Sequence, residues 1–308
     1  MPKEKVFFDT HVYSNASNSR LDVEEWRKAL RIRNCACVLT PITLLELLDW
    51  LVSTDDDAAF KMRQDVLRLA WELGGRNVLD FPGSFARLKV CGTRGGSVRF
   101  GRKDFRQWHL IAIKARTKED LFAGRVRGSI ASNRKTFGLI PKRIHDQMDV
   151  GRTSYVEQIA RYLSEVKPNY QELRASGIKN VLSREELKRL DTTLGSEALK
   201  LAFVQGFLKS VGMADGRERE AEFINSAISR LDAAFTHRKF ILRQALTTDY
   251  RFEEDASAFN DLQLLFYLTD PSYVFVTEDK SLRHAVAKSL QANRIISFDQ
   301  FIAESHKP

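Results

Sequence analysis

The chain has 308 residues, 43% of them hydrophobic, enough to bury a sizeable core in one large or two ordinary domains. No run approaches the roughly 18 to 20 apolar residues that span a bilayer, and the first residues lead into a strand and not a signal-peptide core, so a cytoplasmic protein without a membrane partner is expected. Cys35, Cys37 and Cys91 are too few for a disulfide framework or a paired-cysteine zinc site, while the formal net charge of +9 favours a polyanionic partner.

In chain order, an apolar strand over 6–9 ends on Asp9 and is followed by a predicted helix over 21–31. A strand over 36–40 then leads into a helix over 41–52. Thr40 is a natural N-cap and Pro41 occupies the first helical position, where its missing N–H costs nothing. Leu44, Leu45, Leu47, Leu48 and Leu51 supply a broad apolar face interrupted by Glu46 and Asp49.

From there to Tyr250 the periodicity is almost entirely helical: 58–73, 105–123, 155–165, 184–190, 196–211, 217–235 and 237–246. Ser183 and Glu186 form a capping box, and 76–80 can supply a fifth strand. The Gly-rich stretch 92–101 lacks the pattern of a nucleotide cradle and reads as a turn or basic loop. Between Arg87 and Arg152 there are 17 Lys or Arg against 5 Asp or Glu, a surplus of 12 that exceeds the charge of the whole chain.

Such a patch is the electrostatic footprint of a polyanion binder, such as a nucleic-acid-binding protein, and basicity alone fits a solvated surface equally well. Arg99, Arg102, Lys103 and Arg106 cluster beside Phe100, Phe105 and Trp108, where aromatics can stack on unpaired bases or simply form the buried face of a helix. Arg125, Arg127, Arg134 and Lys135 make a second cluster.

The C-terminal segment returns to the opening pattern, with a helix over 256–268, a turn at Asp270-Pro271-Ser272, a strand over 273–276, a helix over 280–290, a strand over 294–297 and a last helix from Asp299. The fold class is therefore α/β: a doubly wound parallel sheet flanked by helices, split in sequence by a large, mainly helical insertion. The boundaries are 1–54 and 251–308 for the two halves of the sheet domain and 55–250 for the basic insertion.

Open α/β sheets place their chemistry at the carboxyl ends of the strands. Asp9 and Asp279 end strands, Glu46 lies in the second turn of the helix after the second strand, and Asp261 sits on an apolar helix where an unpaired carboxylate is costly. These four acids can converge at one edge. Thr277 offers a hydroxyl beside Asp279, Thr10 follows Asp9, and Asp255 can supplement Asp261 or act as a first-turn acid. Oxygen ligands without a Cys or His pair select Mg²⁺ or Mn²⁺, and such a site suits phosphodiester hydrolysis, in which a metal activates and aligns a water.

Asp9-Thr10-His11-Val12, Thr40-Pro41-Ile42-Thr43-Leu44-Leu45-Glu46-Leu47, Asn260-Asp261-Leu262-Gln263-Leu264-Leu265 and Val276-Thr277-Glu278-Asp279-Lys280-Ser281-Leu282 occur in the order of the PIN domain family, which the chain resembles over about a third of its length. The resemblance implies a Mg²⁺- or Mn²⁺-dependent ribonuclease with Asp9, Glu46, Asp261 and Asp279 as catalytic and metal ligands and Thr277 as supporting hydroxyl. It also implies RNA as the usual substrate, and products with 5′-phosphate and 3′-hydroxyl ends. His11 departs from the Asn often found after the Asp-Thr of the first motif. Family members include toxins of toxin-antitoxin pairs, which have an inhibitory protein partner, as well as processing nucleases and DNA-acting relatives. The alternative reading is a non-catalytic nucleic-acid-binding or scaffold protein that works through its basic helical region.

Overall fold

Alternation along the first strand divides its side chains between two cores: Val6 and Phe8 enter one cluster and Phe7 the other. The computed structural model describes residues 4–18, 23–92, 102–118, 120, 149, 151–164, 167–176, 182–210, 221–248, 250 and 256–305. Among these, β1 (Glu4–Phe8), β2 (Cys35–Cys37), β3 (Tyr273–Val276) and β4 (Ile295–Ile296) form a parallel sheet in the order β2-β1-β3-β4. The two central strands come from opposite ends of the chain, with Phe7 opposite Phe275 and Phe8 opposite Val276. The Phe7 and Phe275 rings stack at 4.7 Å.

The Val6 face, continued by Val274 and Val276, is covered by α1 (Thr10–Asn18), α2 (Val23–Ile32), α3 (Pro41–Val52), α4 (Asp57–Gly74) and the C-terminal helix Phe298–Ser305. Trp26, Tyr13, Phe60 and Phe301 are almost wholly buried there. The Phe7 face, continued by Tyr273 and Phe275, packs on α5 (Pro82–Cys91) and on helices of the middle segment, including Asp232–Thr247, together with Ala256–Leu265 and Lys280–Val286. The architecture is α/β with helices on both sides of a parallel sheet.

Helices from 55–250 thus enter both cores: α4 contributes Phe60, Val66 and Leu67 to one, and the Asp232–Thr247 helix contributes Phe235, Ile241 and Leu242 to the other. The insertion shares its apolar surface with the sheet.

Several boundaries differ from the sequence expectation for identifiable reasons. Residues 76–80 contribute a single parallel bridge, Val78 to Leu39, beside the exit of β2. α1 was unanticipated; its Ser, Asn and Thr residues are weak helix formers, and burial of Val12 and Tyr13 fixes it. α5 carries Pro82 in its first turn and ends at Gly92, whose φ of 71° is the left-handed cap that favours glycine.

The break expected between the 217–235 and 237–246 helices falls instead at Leu231, between Ala221–Arg230 and Asp232–Thr247. The buried Gln291 amide fills the break, accepting from the Ala233 N–H at 2.9 Å and donating to the Ser229 carbonyl at 2.7 Å. α6 spans Arg102–Lys114. Buried Gln64 donates to the carbonyls of Ala112 and Ala115, both at 2.7 Å, and so satisfies its C-terminal end. The helix after β3 stops at Val286, four residues early, and β4 has only two residues.

Candidate active site at the carboxyl edge of the sheet

β1 and β3 run side by side in the same direction, so the residues that follow them emerge together. Asp9 is 5% exposed, and its N–H still donates to the Val276 carbonyl at 2.9 Å, which extends the ladder by one rung. One carboxylate oxygen, Oδ2, accepts the Thr277 hydroxyl at 2.8 Å; the other, Oδ1, accepts the Thr10 N–H at 2.7 Å.

Thr277 is fully buried, accepts the Asp279 N–H at 3.0 Å, and has its carbonyl held by Arg283 Nη1 at 2.5 Å. One hydroxyl therefore ties the end of β1 to the turn after β3.

Glu46 projects from the second turn of α3. The start of this helix is fixed by Thr40 Oγ1, which accepts from the Thr43 N–H at 3.0 Å, and by Thr43 Oγ1, which donates to the Phe8 carbonyl at 3.2 Å. Its carboxylate accepts from the Thr10 hydroxyl and, at 2.7 Å, from Asn260 Nδ2. Burial pushes the Glu46 carboxyl up to about 6; the Asp9 charge adds to the rise, and the Thr10 and Asn260 hydrogen bonds oppose it.

His11 Nδ1 stands 3.7 Å from Asp9 Oδ2, with its ring largely in solvent. Its interaction with Asp9 lifts its pKa to about 9 against desolvation, and the charges of Glu46 and Asp279 act in the same direction. His11 thus pairs with Asp9 and feels the charges of Glu46 and Asp279. Among the described residues, no Lys or Arg forms an ion pair with Asp9, Glu46 or Asp279.

Asp279 caps the Lys280–Val286 helix by accepting from the Leu282 N–H at 2.9 Å. Asp261 and Asp279 together line a cleft of about 480 Å³ whose far wall is the Asp232–Thr247 helix, with His237, Phe240 and Gln244, and whose rim carries Tyr250.

The four acids thus reach one edge as two sets, Asp9 with Glu46 around Thr10, and Asp261 with Asp279 around the cleft. Their donors fit a hard divalent cation in kind, because all are carboxylate oxygens and, among the described residues, the anionic charge of Asp9 and Glu46 is met only by His11. Among the described residues, no three of the His, Cys, Asp and Glu side chains form a group that could hold a metal ion.

Asn260 and Arg283 were not anticipated as site residues. Asn260 directly precedes Asp261 in a motif read for its carboxylate, and Arg283 falls one turn into a helix, a position that usually faces solvent.

In the basic segment, Arg106 is exposed on α6, and the backbones of Arg102 and Lys103 form its first turn. Arg99, Arg125, Arg127, Arg134, Lys135 and Asp255 lie outside the described residues. No helix among the described residues is long and apolar enough to cross a membrane. No protein-family model, curated protein or solved structure matches the chain.

Proposed function

We propose that the chain is a PIN-like, metal-dependent endoribonuclease whose acidic edge takes Mg²⁺ or Mn²⁺ through Asp9, Glu46, Asp261 and Asp279. The observation that carries this reading is buried Asp9 at the end of a central strand, oriented by Thr277 just beyond the neighbouring strand and flanked by Glu46, with His11 as the one counter-charge among the described residues. A bound divalent cation would supply charge neutralisation and activation of water for attack on a phosphodiester.

The protein's own groups do the positioning. Thr277 and the Thr10 N–H fix the plane of Asp9, Thr10 and Asn260 fix Glu46, and Arg283 holds the Thr277 carbonyl so that this hydroxyl keeps its direction. His11, protonated at neutral pH and exposed, can meet a phosphate oxygen at the mouth of the site. The surplus of Lys and Arg between 87 and 152 supports a nucleic-acid substrate.

A second reading, a non-catalytic nucleic-acid-binding or scaffold protein using the basic region, is favoured by one observation: no three candidate ligands stand together among the described residues. One experiment separates the two. Labelled single-stranded RNA, structured RNA and DNA are incubated with the protein and its Asp9→Asn variant in Mn²⁺, Mg²⁺ or EDTA. Cleavage that requires both metal and Asp9, leaving 5′-phosphate ends, supports the nuclease. Salt-sensitive binding without cleavage by either protein supports the binding module, and loss of salt dependence in Arg102→Ala/Lys103→Ala places the contact on α6. Growth arrest on expression, relieved by a co-expressed inhibitory protein, would distinguish a toxin from a processing nuclease.

A further inference from the structure

The Asp232–Thr247 helix lines two cavities with opposite faces. His237, Phe240 and Gln244 face the acidic cleft, whereas Phe235, Arg238 and Leu242 face a second cavity of about 390 Å³. The second cavity is closed by the 151–164 and Glu197–Ser210 helices. Its charge is opposite to that of the first: Arg161, Arg238 and Lys239 line it and, among the described residues, no carboxylate does.

Arg238 is the unusual member. It is partly buried, lies over the Phe203 ring at 5.5 Å, and has neither a hydrogen-bond nor an ion-pair partner among the described residues. Burial lowers its pKa from the ordinary arginine value. The guanidinium keeps contact with water and, with a ring face as its described neighbour, leaves its positive charge available to an anion entering the cavity.

The mouth of the cavity is unobstructed on one side. Gly206 lies on an exposed position of the Glu197–Ser210 helix, at the border between the cavity and solvent, and a Cβ built on it meets nothing within 4 Å. Glycine costs a helix interior about 1 kcal/mol relative to alanine, and no close approach of neighbouring atoms requires it here. On the other wall Phe203 and Phe235 meet edge to face at 5.8 Å and, though mostly buried, supply the apolar part of the lining beside the guanidinium.

We propose that this cavity is a binding site for a nucleoside phosphate monoester, its phosphate on Arg238 with Lys239 and Arg161 beside it, and its base against the Phe203–Phe235 wall. The planar guanidinium matches phosphate in a two-pronged contact, and the volume falls in the ~300–1,000 Å³ range of small-molecule sites. Two sources carry this chemistry, a free mononucleotide and the 5′-phosphorylated end of an RNA strand. The proposal does not depend on the acidic edge being catalytic.

The test is calorimetric titration of the full chain in EDTA with each of the four ribonucleoside monophosphates, the matching nucleosides and inorganic phosphate. At least one monophosphate is expected to bind saturably, and its nucleoside about tenfold more weakly or worse. Arg238→Met should weaken the monophosphate by a similar factor. Gly206→Leu, which fills the cavity from a helix that tolerates leucine better than glycine, should abolish binding while the melting temperature holds. Asp279→Asn should leave binding unchanged. Displacement of the bound monophosphate by a 5′-phosphorylated oligonucleotide, and not by its 5′-hydroxyl form, identifies the strand end as ligand; no displacement identifies the free nucleotide. Absence of saturable binding by any monophosphate, or equal binding by wild type and a folded Gly206→Leu variant, would overturn the proposal.

Discussion

The Thr277 hydroxyl donates to Asp9 Oδ2 at 2.8 Å across 268 residues of sequence, and it accepts the Asp279 N–H at 3.0 Å. Thr277→Val removes both contacts with little change in volume, leaving a buried carboxylate short of one donor. The expected loss is about 1–3 kcal/mol in denaturant melts, together with most of any metal-dependent cleavage. Thr277→Ser restores the hydroxyl and should recover both. A valine variant with wild-type stability would show that the hydroxyl does not hold Asp9.

Divalent metal should raise the melting temperature if the acidic edge takes a cation. A ligand at 100 times its dissociation constant stabilises the folded state by about 2.7 kcal/mol. Mn²⁺ titrated into the wild-type protein should therefore give a concentration-dependent shift that EDTA reverses and that is largely lost in Asp9→Asn. Equal shifts in the two proteins would place the cation away from Asp9.

The parts of this site that were legible in sequence are those carried by single strong signals. The apolar run ending on Asp9, the Thr40-Pro41 helix start and the strand before Thr277 all stand where periodicity and capping put them. What was not legible depends on side chains that meet only after folding. Asn260 bonds Glu46 across 214 residues, and Gln291 fills the helix break at Leu231 by bonding Ala233 across 58 residues. A local pattern cannot show such partners. How the 55–250 helices pack was not legible for a related reason: they are amphipathic whether they pack on one another or on a sheet, and the choice appears only when Phe60 and Phe235 are seen in different cores.

Gly74 ends α4 where that helix passes over the exit of β2, and a Cβ there would lie 3.0 Å from both the Leu39 nitrogen and the Val38 carbonyl carbon. Those neighbours are backbone atoms, one of them on a residue bonded to the bridge at Val78, so they cannot rotate away. Gly74→Ala should cost about 1–3 kcal/mol despite the better helix propensity of alanine. An alanine variant that melts at or above the wild-type temperature would show that the contact relaxes freely.

His109 supplies the pH dependence of the packing between α4 and α6. Its ring stacks on Trp71 at 4.5 Å with an interplanar angle of 13°, it is 4% exposed, and neither ring nitrogen has a hydrogen-bond partner among the described residues. Burial, with a smaller contribution from the Arg68 charge, lowers its pKa from 6.5 to about 4. The folded state therefore binds this proton less tightly than the unfolded state. The contribution of the neutral ring is fully present above pH 6.5 and is lost as pH falls toward 4, by up to about 3 kcal/mol. His109→Phe keeps the stack and removes the titration. Denaturant melts between pH 7 and pH 4 should show a shallower decline for the phenylalanine variant than for the wild type; parallel curves would assign the acid sensitivity of the fold to other groups.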